Sequence, residues 1–550
     1  MDATTDGPTR TPAHQERVRV VLTGGTLTVG ELVALADGAA VPAVAPEARE
    51  RAVRSWHHAR RLAADGRLYG RTTGVGAQRS VLVDEDDEGD HGLRLLRSHA
   101  GGAGALLPAR QVRAMLAVRA NQLLAGGSGI QPAFVDALME ALRLGVHPAV
   151  NEYGGIGTGD LTALAQTGLT LIGERPWVQD PDGPVPVGAG PSGTCPRDAR
   201  TPSADPLPTG HGETPAPAAG PPPAEPGRGR ASIAGPLPAP VVPEPGDALA
   251  LLSSNALALG QAAFAQHGLE TLLRATHAVA ALSLTAVSGS AEAYAAPVHA
   301  LRPYPGAARA AAEVRRLLGI DDRASGAPGR RIQDPFGFRA FPQAHGCALD
   351  AADRLRTVVE AEVNCPSENP LMAPDGTAAY HHGGFFAAPL GLALDAANLA
   401  LLQTAQLSAA RLAALGDPGL TGLSAFLATG AASSSGTMIL EYTANSALAE
   451  LRSCAAPASA GHAVLARGLE EAASFAGQAA RQSLRATDAY ATVLACELVT
   501  AVRALRMLSL PPRCAAFTVA AAALPFGTDD RPLTADLTAA TELLPLLAGL

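Results

Sequence analysis

The sequence predicts an all-α protein, an elongated bundle of long helices with a small mixed region at its N-terminal end. Two observations carry that prediction. Apolar residues recur at the helical period over several long segments. Those segments are built mainly from Ala and Leu, two of the strongest helix formers. Strand signals are few, and "RVRVVL" near residue 20 is the main one.

At 550 residues and 47% apolar composition the chain is long enough to bury a large core. Its net charge is −9, and all 42 basic residues are Arg. An acidic chain without basic runs argues against nucleic acid as a main partner. The opening stretch "MDATTDGPTRTPAHQERVRVV" is polar and carries no apolar stretch of signal-peptide type. Runs of about 18 uninterrupted apolar residues do not occur, so no membrane span is expected. Cys195, Cys347, Cys365, Cys454, Cys496 and Cys514 are scattered with no CxxC pair. Their spacing predicts reduced thiols in a cytoplasmic setting, with neither a disulfide framework nor a metal site.

Three stretches follow in order. Residues 1–178 form an N-terminal region. Within it Leu161, Leu164, Ala165, Gly168, Leu169 and Ile172 mark one face of a helix. Residues 179–246, with text such as "GETPAPAAGPPPAEPGRGR", lack the apolar periodicity needed to offset ordering entropy and read as a disordered Pro/Gly/Ala-rich insertion. Residues 247–550 form a central and C-terminal helical bundle, with helices expected near 247–288, 348–363, 389–414, 437–453 and 464–508. Helices that long pack as an elongated bundle. Their Ala-rich faces are wider than one chain covers, which predicts oligomerisation.

Candidate chemistry begins at "GGIGTGD" (154–160). One reading is a glycine turn with a polar helix cap at Thr158 or Asp160. The other is backbone chemistry. The Gly159 nitrogen is unhindered enough to attack the Gly157 carbonyl and close an imidazolone ring, and dehydration of Thr158 between them leaves an electrophilic alkene. Elsewhere, "LYGRTTGVGAQRS" puts Tyr69 on a glycine-bracketed loop suited to a mobile lid. "LLRSHAGGAG" places His99 before a glycine cluster. "QDPFGFRAFPQAHG" (333–346) reads as a loop carrying Gln333 and Arg339, and Arg is a natural bidentate partner for a carboxylate. "EVNCPSENPL" ends a helix at Asn364, and "LEYTANSALAELR" carries Glu450. Each of these residues also has an ordinary structural reading as a cap, a surface pair or a packed polar group.

Taken in this order, "YGxxTGxG", "SHAGGxG", "GDLxxLA", "QDPxxxR" and "ENPL" resemble the histidine and aromatic amino acid ammonia-lyases, over nearly the whole chain outside 179–246. The resemblance implies a helical homotetramer with active sites built from three subunits, acting on a small amino acid substrate. It also implies an autocatalytic 4-methylidene-imidazol-5-one (MIO) made from an Ala-Ser-Gly triad, with no metal or nucleotide. That group eliminates ammonia from His, Phe or Tyr to give an arylacrylate. The triad position is Gly157-Thr158-Gly159, which would yield an ethylidene. By the same resemblance, Tyr69 is the base that takes the β-proton, and it needs a lowered pKa to do so. Arg339 holds the substrate carboxylate, and Gln333 and Asn364 line the site. His99 and Glu450 meet a polar ring.

Departures cluster at the electrophile and the substrate amine. Thr158 replaces the serine of the triad, and Phe336 replaces the tyrosine of "QDPY". Ser253-Ser254 stands where the family has Asn-Gly, with Asn255 next as a partial substitute. "GGFFA" stands for "GNFHG", and "LEEA" for "QEDH". Three readings stay open: an active lyase, a cofactor-free enzyme on the same scaffold acting on a specialised carboxylate, and a non-catalytic paralogue. The domain division itself predicts that limited proteolysis cuts first within 179–246 while the remaining core stays assembled. Protection of that whole span contradicts it.

Overall fold

The computed structural model describes residues 18–66, 68–84, 87–179, 235–322 and 331–550; Cys195 and residues 180–234 of the expected insertion lie outside them. At the N-terminal end, β1 (Val18–Leu22) pairs in parallel with β2 (Ala40–Val44) across α1 (Val29–Ala36). Thr28 and Glu31 close a reciprocal capping box on α1. Then come α2 (Pro46–Asp65), α3 (Glu88–His99), β3 (Ala103–Leu106), α4 (Ala109–Leu124), α5 (Pro132–Leu144), β4 (Val146–Pro148), β5 (Asn151–Tyr153), α6 (Leu161–Leu171) and β6 (Trp177–Gln179). β3 pairs with β5 and β4 with β6, both antiparallel. This is the expected mixed region, and α6 buries Leu164, Ala165, Gly168 and Leu169 of the marked face, with Leu161 and Ile172 half-buried at its ends and the other sides buried as well.

The rest is helix. α7 (Asp247–Leu252), α8 (Ala256–Ala286), α9 (Ala296–Ala300), α10 (Pro305–Leu318), α11 (Phe336–Arg339), α12 (Phe341–Val363), α13 (Ala388–Leu415), α14 (Pro418–Thr421), α15 (Met438–Cys454), α16 (Ala476–Met507), α17 (Ala515–Ala523) and α18 (Thr534–Leu547) follow in order. α16 is the axis of the bundle and packs along α8, α13 and α15. α12 lies on α13 and α8, and α4 joins the N-terminal region to α8. The 18-residue window most able to cross a membrane by composition lies in the 247–286 segment and is 94% buried in the fold, as befits a core helix.

Four expectations need correction. The 247–288 segment is not one helix. It breaks at Ser253–Asn255, because Asp160 N–H donates to the Ser254 carbonyl (2.6 Å) and Ser254 Oγ donates to Gln122 Oε1 (2.6 Å). The last long helix starts at Ala476, not at 464. Residues 464–475 form a turn-rich loop in which Ala466, Arg467 and Phe475 hold left-handed backbone that no helix accommodates. Residues 333–346 are not a loop. They form α11 and the first turns of α12, with Pro335 and Pro342 placed where helix starts tolerate proline. Finally, residues 235–246 pack against the body. Val241 is buried and its N–H donates to the Leu171 carbonyl, while Glu244 accepts from Trp56 Nε1.

One buried pair locks the bundle. Arg411 on α13 and Glu497 on α16 are both fully buried, with Nε–Oε1 and Nη2–Oε2 distances of 2.6 and 2.8 Å. Ser283 of α8 and Ser408 also donate to Glu497, and Arg411 Nη1 donates to the Gly337 carbonyl of α11. The carboxylate is thus fully satisfied. The same knot fixes the position of α11, which carries Phe336 and Arg339. Glu497→Leu alone, which strands the arginine, should cost about 3–5 kcal/mol in urea denaturation. Arg411→Met with Glu497→Leu should recover most of that loss, and a double variant as unstable as the single one contradicts this account.

Candidate active site

The glycine segment ahead of α6 sits where four helices begin. α6 starts just after Asp160. Asn255 is the residue before α8, Ala387 the residue before α13, and Ser474 and Phe475 precede α16. Each helix start exposes N–H groups without intrahelical partners. Here several find theirs on this segment. Phe475 N–H donates to the Ile156 carbonyl (2.9 Å), and Ala387 N–H approaches the Gly157 carbonyl (3.4 Å). Ser474 Oγ donates to the same Gly157 carbonyl (3.0 Å). Gly159 N–H in turn donates to Asn255 Oδ1 (3.2 Å), and Asn255 Nδ2 donates to the Phe385 carbonyl (2.6 Å). Asn255 therefore grips the triad itself.

The triad backbone needs its glycines. Gly157 has φ +84° and Gly159 φ +109°, values that side chains rarely adopt. Thr158 between them is buried. A ring closed between residues 157 and 159 suits this arrangement. The Gly157 carbonyl is polarised by donors, and the Gly159 nitrogen is unencumbered and has an acceptor beside it.

Asp160 is buried behind the triad and accepts from Ala258 N–H (2.9 Å). It does not cap α6 with its side chain. Burial raises its pKa to about 6, against the lowering pull of the Ala258 and Leu257 N–H groups.

A cavity of about 370 Å³ opens over Thr158, lined among others by Tyr69, His99, Ser253, Asn369, Phe385 and Glu470. Larger spaces of about 430 and 550 Å³ elsewhere contain none of the sequence-predicted residues. Tyr69 lies on the 68–84 loop. That loop is tied by Leu68 N–H to Thr72 Oγ1 (2.8 Å) and by Gly74 N–H to the Val81 carbonyl (2.9 Å). Its turn at Gly76–Gln78 meets the turn at Ala466–Gly468. Leu465 and Glu470 pair across that second turn, which brings the Glu470 carboxylate to the cavity.

The Tyr69 hydroxyl accepts the Gly76 N–H at 2.7 Å. Its pKa is nevertheless raised, not lowered as a base requires. Burial is the main cause, the Gly76 bond and Arg79 oppose it, and Glu470 adds to it. His99 donates from Nδ1 to the Leu95 carbonyl (3.0 Å), which turns Nε2 into the nitrogen a ligand would meet.

Several predicted residues lie elsewhere. Asn364 is not a cavity residue. Its Oδ1 accepts Leu27 N–H (2.8 Å) and Asn121 Nδ2 (2.9 Å), and its Nδ2 donates to the Leu27 and Glu360 carbonyls, so it pins the N-terminal region to the end of α12. The asparagine at the cavity is Asn369, five residues on, whose Oδ1 accepts His382 N–H. Glu450 is exposed on α15 and outside the cavity of the single chain, and Glu470, which the sequence does not single out, lines it. Gln333, Phe336 and Arg339 are exposed. The Arg339 guanidinium lies 4.6 Å over the Phe336 ring, and its Nε donates to the Asp334 carbonyl. The "SENPL" text was the available signal for Asn369. For Glu470 the signal is the "LEEA" segment, whose text is equally compatible with helix.

Comparison with known proteins bears on the family and the fold. The profile of the aromatic amino acid lyase family matches residues 27–196 and 230–524. Histidine ammonia-lyase of Anaeromyxobacter sp. (strain K) is 34% identical over 546 residues, covering 96% of this chain and 98% of that one. Among solved structures, Treponema denticola ergothionase in complex with desmethyl-ergothioneine sulfonic acid superposes with a TM-score of 0.80 at 23% identity, over 96% of this chain and 99% of that one. Histidine ammonia-lyase from Trypanosoma cruzi gives 0.79 at 24%, over 96% and 93%. The two structures speak for the fold.

The raised Asp160 carboxyl makes a pH signature. Between its ordinary range near 4 and about 6, the folded chain holds a proton that the unfolded chain releases, so this group lowers stability as pH rises through that window. Asp160→Asn keeps an acceptor for Ala258 and removes the titration. Its melting temperature relative to the unsubstituted chain should climb from pH 4 to 6.5, and parallel curves contradict the assignment.

Proposed function

Because the chain belongs to the aromatic amino acid lyase family, we propose that it is an ammonia-lyase of the histidine type, releasing ammonia from an L-amino acid with a polar aromatic ring to give the arylacrylate. One observation carries this reading. Tyr69, His99 and Glu470 share a single cavity with Thr158 of the triad. Phe385 and the Leu95, Leu161, Leu249 and Leu252 side chains give that cavity its apolar walls, and its volume suits an amino acid.

The triad residues fit an imidazolone, which when formed supplies the electron-poor carbon that makes loss of the amino group feasible. His99 Nε2 and the Glu470 carboxylate take the two polar edges of an imidazole. A ring N–H donated to Glu470 offsets the negative charge that raises the Tyr69 pKa, and the Gly76 N–H is placed to hold the phenolate. Substrate binding thereby prepares Tyr69 to take the β-proton. Histidine gains from this coupling, and phenylalanine does not.

Gln333, Phe336 and Arg339 reach a cavity only from another copy of the chain. Exposed Leu392 and Leu399 on α13, with Ile439 and Tyr442 on α15, offer apolar surface for that assembly. A homotetramer with shared sites follows, as in the family the sequence resembles, and light scattering should give about four times 55.6 kDa. The five described cysteines are free, in keeping with a cytoplasmic setting. Phe336 and Thr158 set the rate. Phe336 removes a hydroxyl near the electrophile, and the Thr158 methyl crowds it.

Variant kinetics test the proposal. Tyr69→Phe should lower arylacrylate formation from histidine by about 10²–10⁴-fold. Glu470→Gln should weaken histidine more than phenylalanine. Thr158→Ser should raise the rate, and Phe336→Tyr should raise it again. Indifference to Tyr69→Phe, or a cyclised Thr158→Ser chain that makes no arylacrylate, overturns the lyase reading in favour of a cofactor-free or non-catalytic role.

A further inference from the structure

We propose that Ser474 is the residue that promotes ring closure at the triad, by donating its hydroxyl hydrogen to the carbonyl that the Gly159 nitrogen attacks. The inference rests on the reading that this triad cyclises. It assigns a catalytic part to a serine 317 positions away in sequence.

Ser474 is buried, and its Oγ lies 3.0 Å from the Gly157 oxygen. Ala476 N–H donates to that same Oγ at 3.3 Å. The incoming bond occupies the hydroxyl oxygen, so its hydrogen is left for the Gly157 carbonyl, and the two bonds in series strengthen each other. The left-handed Phe475 turns the chain between Ser474 and α16, and its own N–H is spent on the Ile156 carbonyl. The serine is therefore held from both sides. With Ala387 N–H at 3.4 Å, the Gly157 oxygen has two donors from two helix starts, the arrangement that stabilises a developing oxyanion.

Residue 157 is shaped around this serine. A Cβ at Gly157 would stand 1.9 Å from Ser474 Oγ, and the φ of +84° disfavours a side chain independently. Glycine at this position leaves the space to the serine hydroxyl.

The step balances without any added reagent. The Gly159 nitrogen bonds to the Gly157 carbonyl carbon, and the Gly159 N–H proton ends on the former carbonyl oxygen. Asn255 Oδ1 sits beside that N–H as it leaves. The resulting hydroxyl departs as water with the Thr158 amide hydrogen, leaving a C=N bond. Thr158 then loses its hydroxyl and α-hydrogen as a second water. Ser474 acts on the first addition, as the donor to the oxygen that takes up charge.

The test is the mass of the peptide spanning Gly157–Gly159, taken from freshly made full-length chain at fixed times. The unsubstituted chain should become lighter by two waters. Ser474→Ala should slow that change about 10²–10³-fold, the effect of losing one oxyanion donor. Ser474→Thr, which keeps the hydroxyl, should restore it, and Ser474→Cys should fall between. Helicity and assembly measured alongside separate this from misfolding. Should Ser474→Ala not fold, Ser474→Cys closing as fast as the unsubstituted chain overturns the proposal. Equal closure in Ser474→Ala overturns it while the lyase reading stands. Full mass in both the unsubstituted and Thr158→Ser chains removes the ring, and the proposed function with it.

Discussion

Everything at the candidate site depends on four helix starts meeting at one glycine-rich stretch. A helix start carries unpaired N–H groups and a partial positive charge. Four of them buried together need acceptors, and the Ile156 and Gly157 carbonyls, Asn255 and Asp160 supply these. The segment in return is held in a backbone shape that only Gly157 and Gly159 can adopt. Long helices serve this convergence. α8, α13 and α16 extend far from the triad, and their fixed packing aims the starts. The Arg411–Glu497 pair ties all three at a distance and anchors α11 to the same frame.

The cavity adds a second constraint, which is electrostatic. Tyr69 is half-buried near a carboxylate, so the protein alone keeps it protonated. A neighbouring N–H stabilises the charged form, and the remaining correction has to come from what binds. On the proposed reading, His99 and Glu470 meet the ring of a histidine-type ligand, which supplies it. The loops that carry Tyr69 and Glu470 touch each other through tight turns, and non-glycine residues in left-handed conformation are concentrated in the Glu470 loop. Such backbone costs of order 1–3 kcal/mol per residue and is kept where the surroundings dictate it.

The fold class was legible because long Ala/Leu segments at helical period have few alternatives, and α13 and α15 begin and end close to where the pattern places them. Tertiary contacts decided the rest. The break at Ser253–Asn255 follows from bonds to Asp160 and Gln122, neither near in sequence. Residues 464–475 carry helix-compatible text and leave the helix where Leu465 bridges Glu470 and Phe475 N–H bonds the Ile156 carbonyl. Asn364 and Asn369 share one short motif, and only the structure separates the residue that bridges to Leu27 from the one facing the cavity. Glu470 reads as helical surface, and the turn at Ala466–Gly468 that redirects it has one glycine to announce it. Gln333, Phe336 and Arg339 are exposed and lie outside the cavity of the described chain.

The central claim is that this cavity carries out elimination on histidine. Its most direct test follows histidine with the assembled, unsubstituted protein and measures ammonia and arylacrylate together. The account predicts saturable release of both in equal amounts. Histidine left unchanged, or converted to an isomeric amino acid without free ammonia, contradicts it.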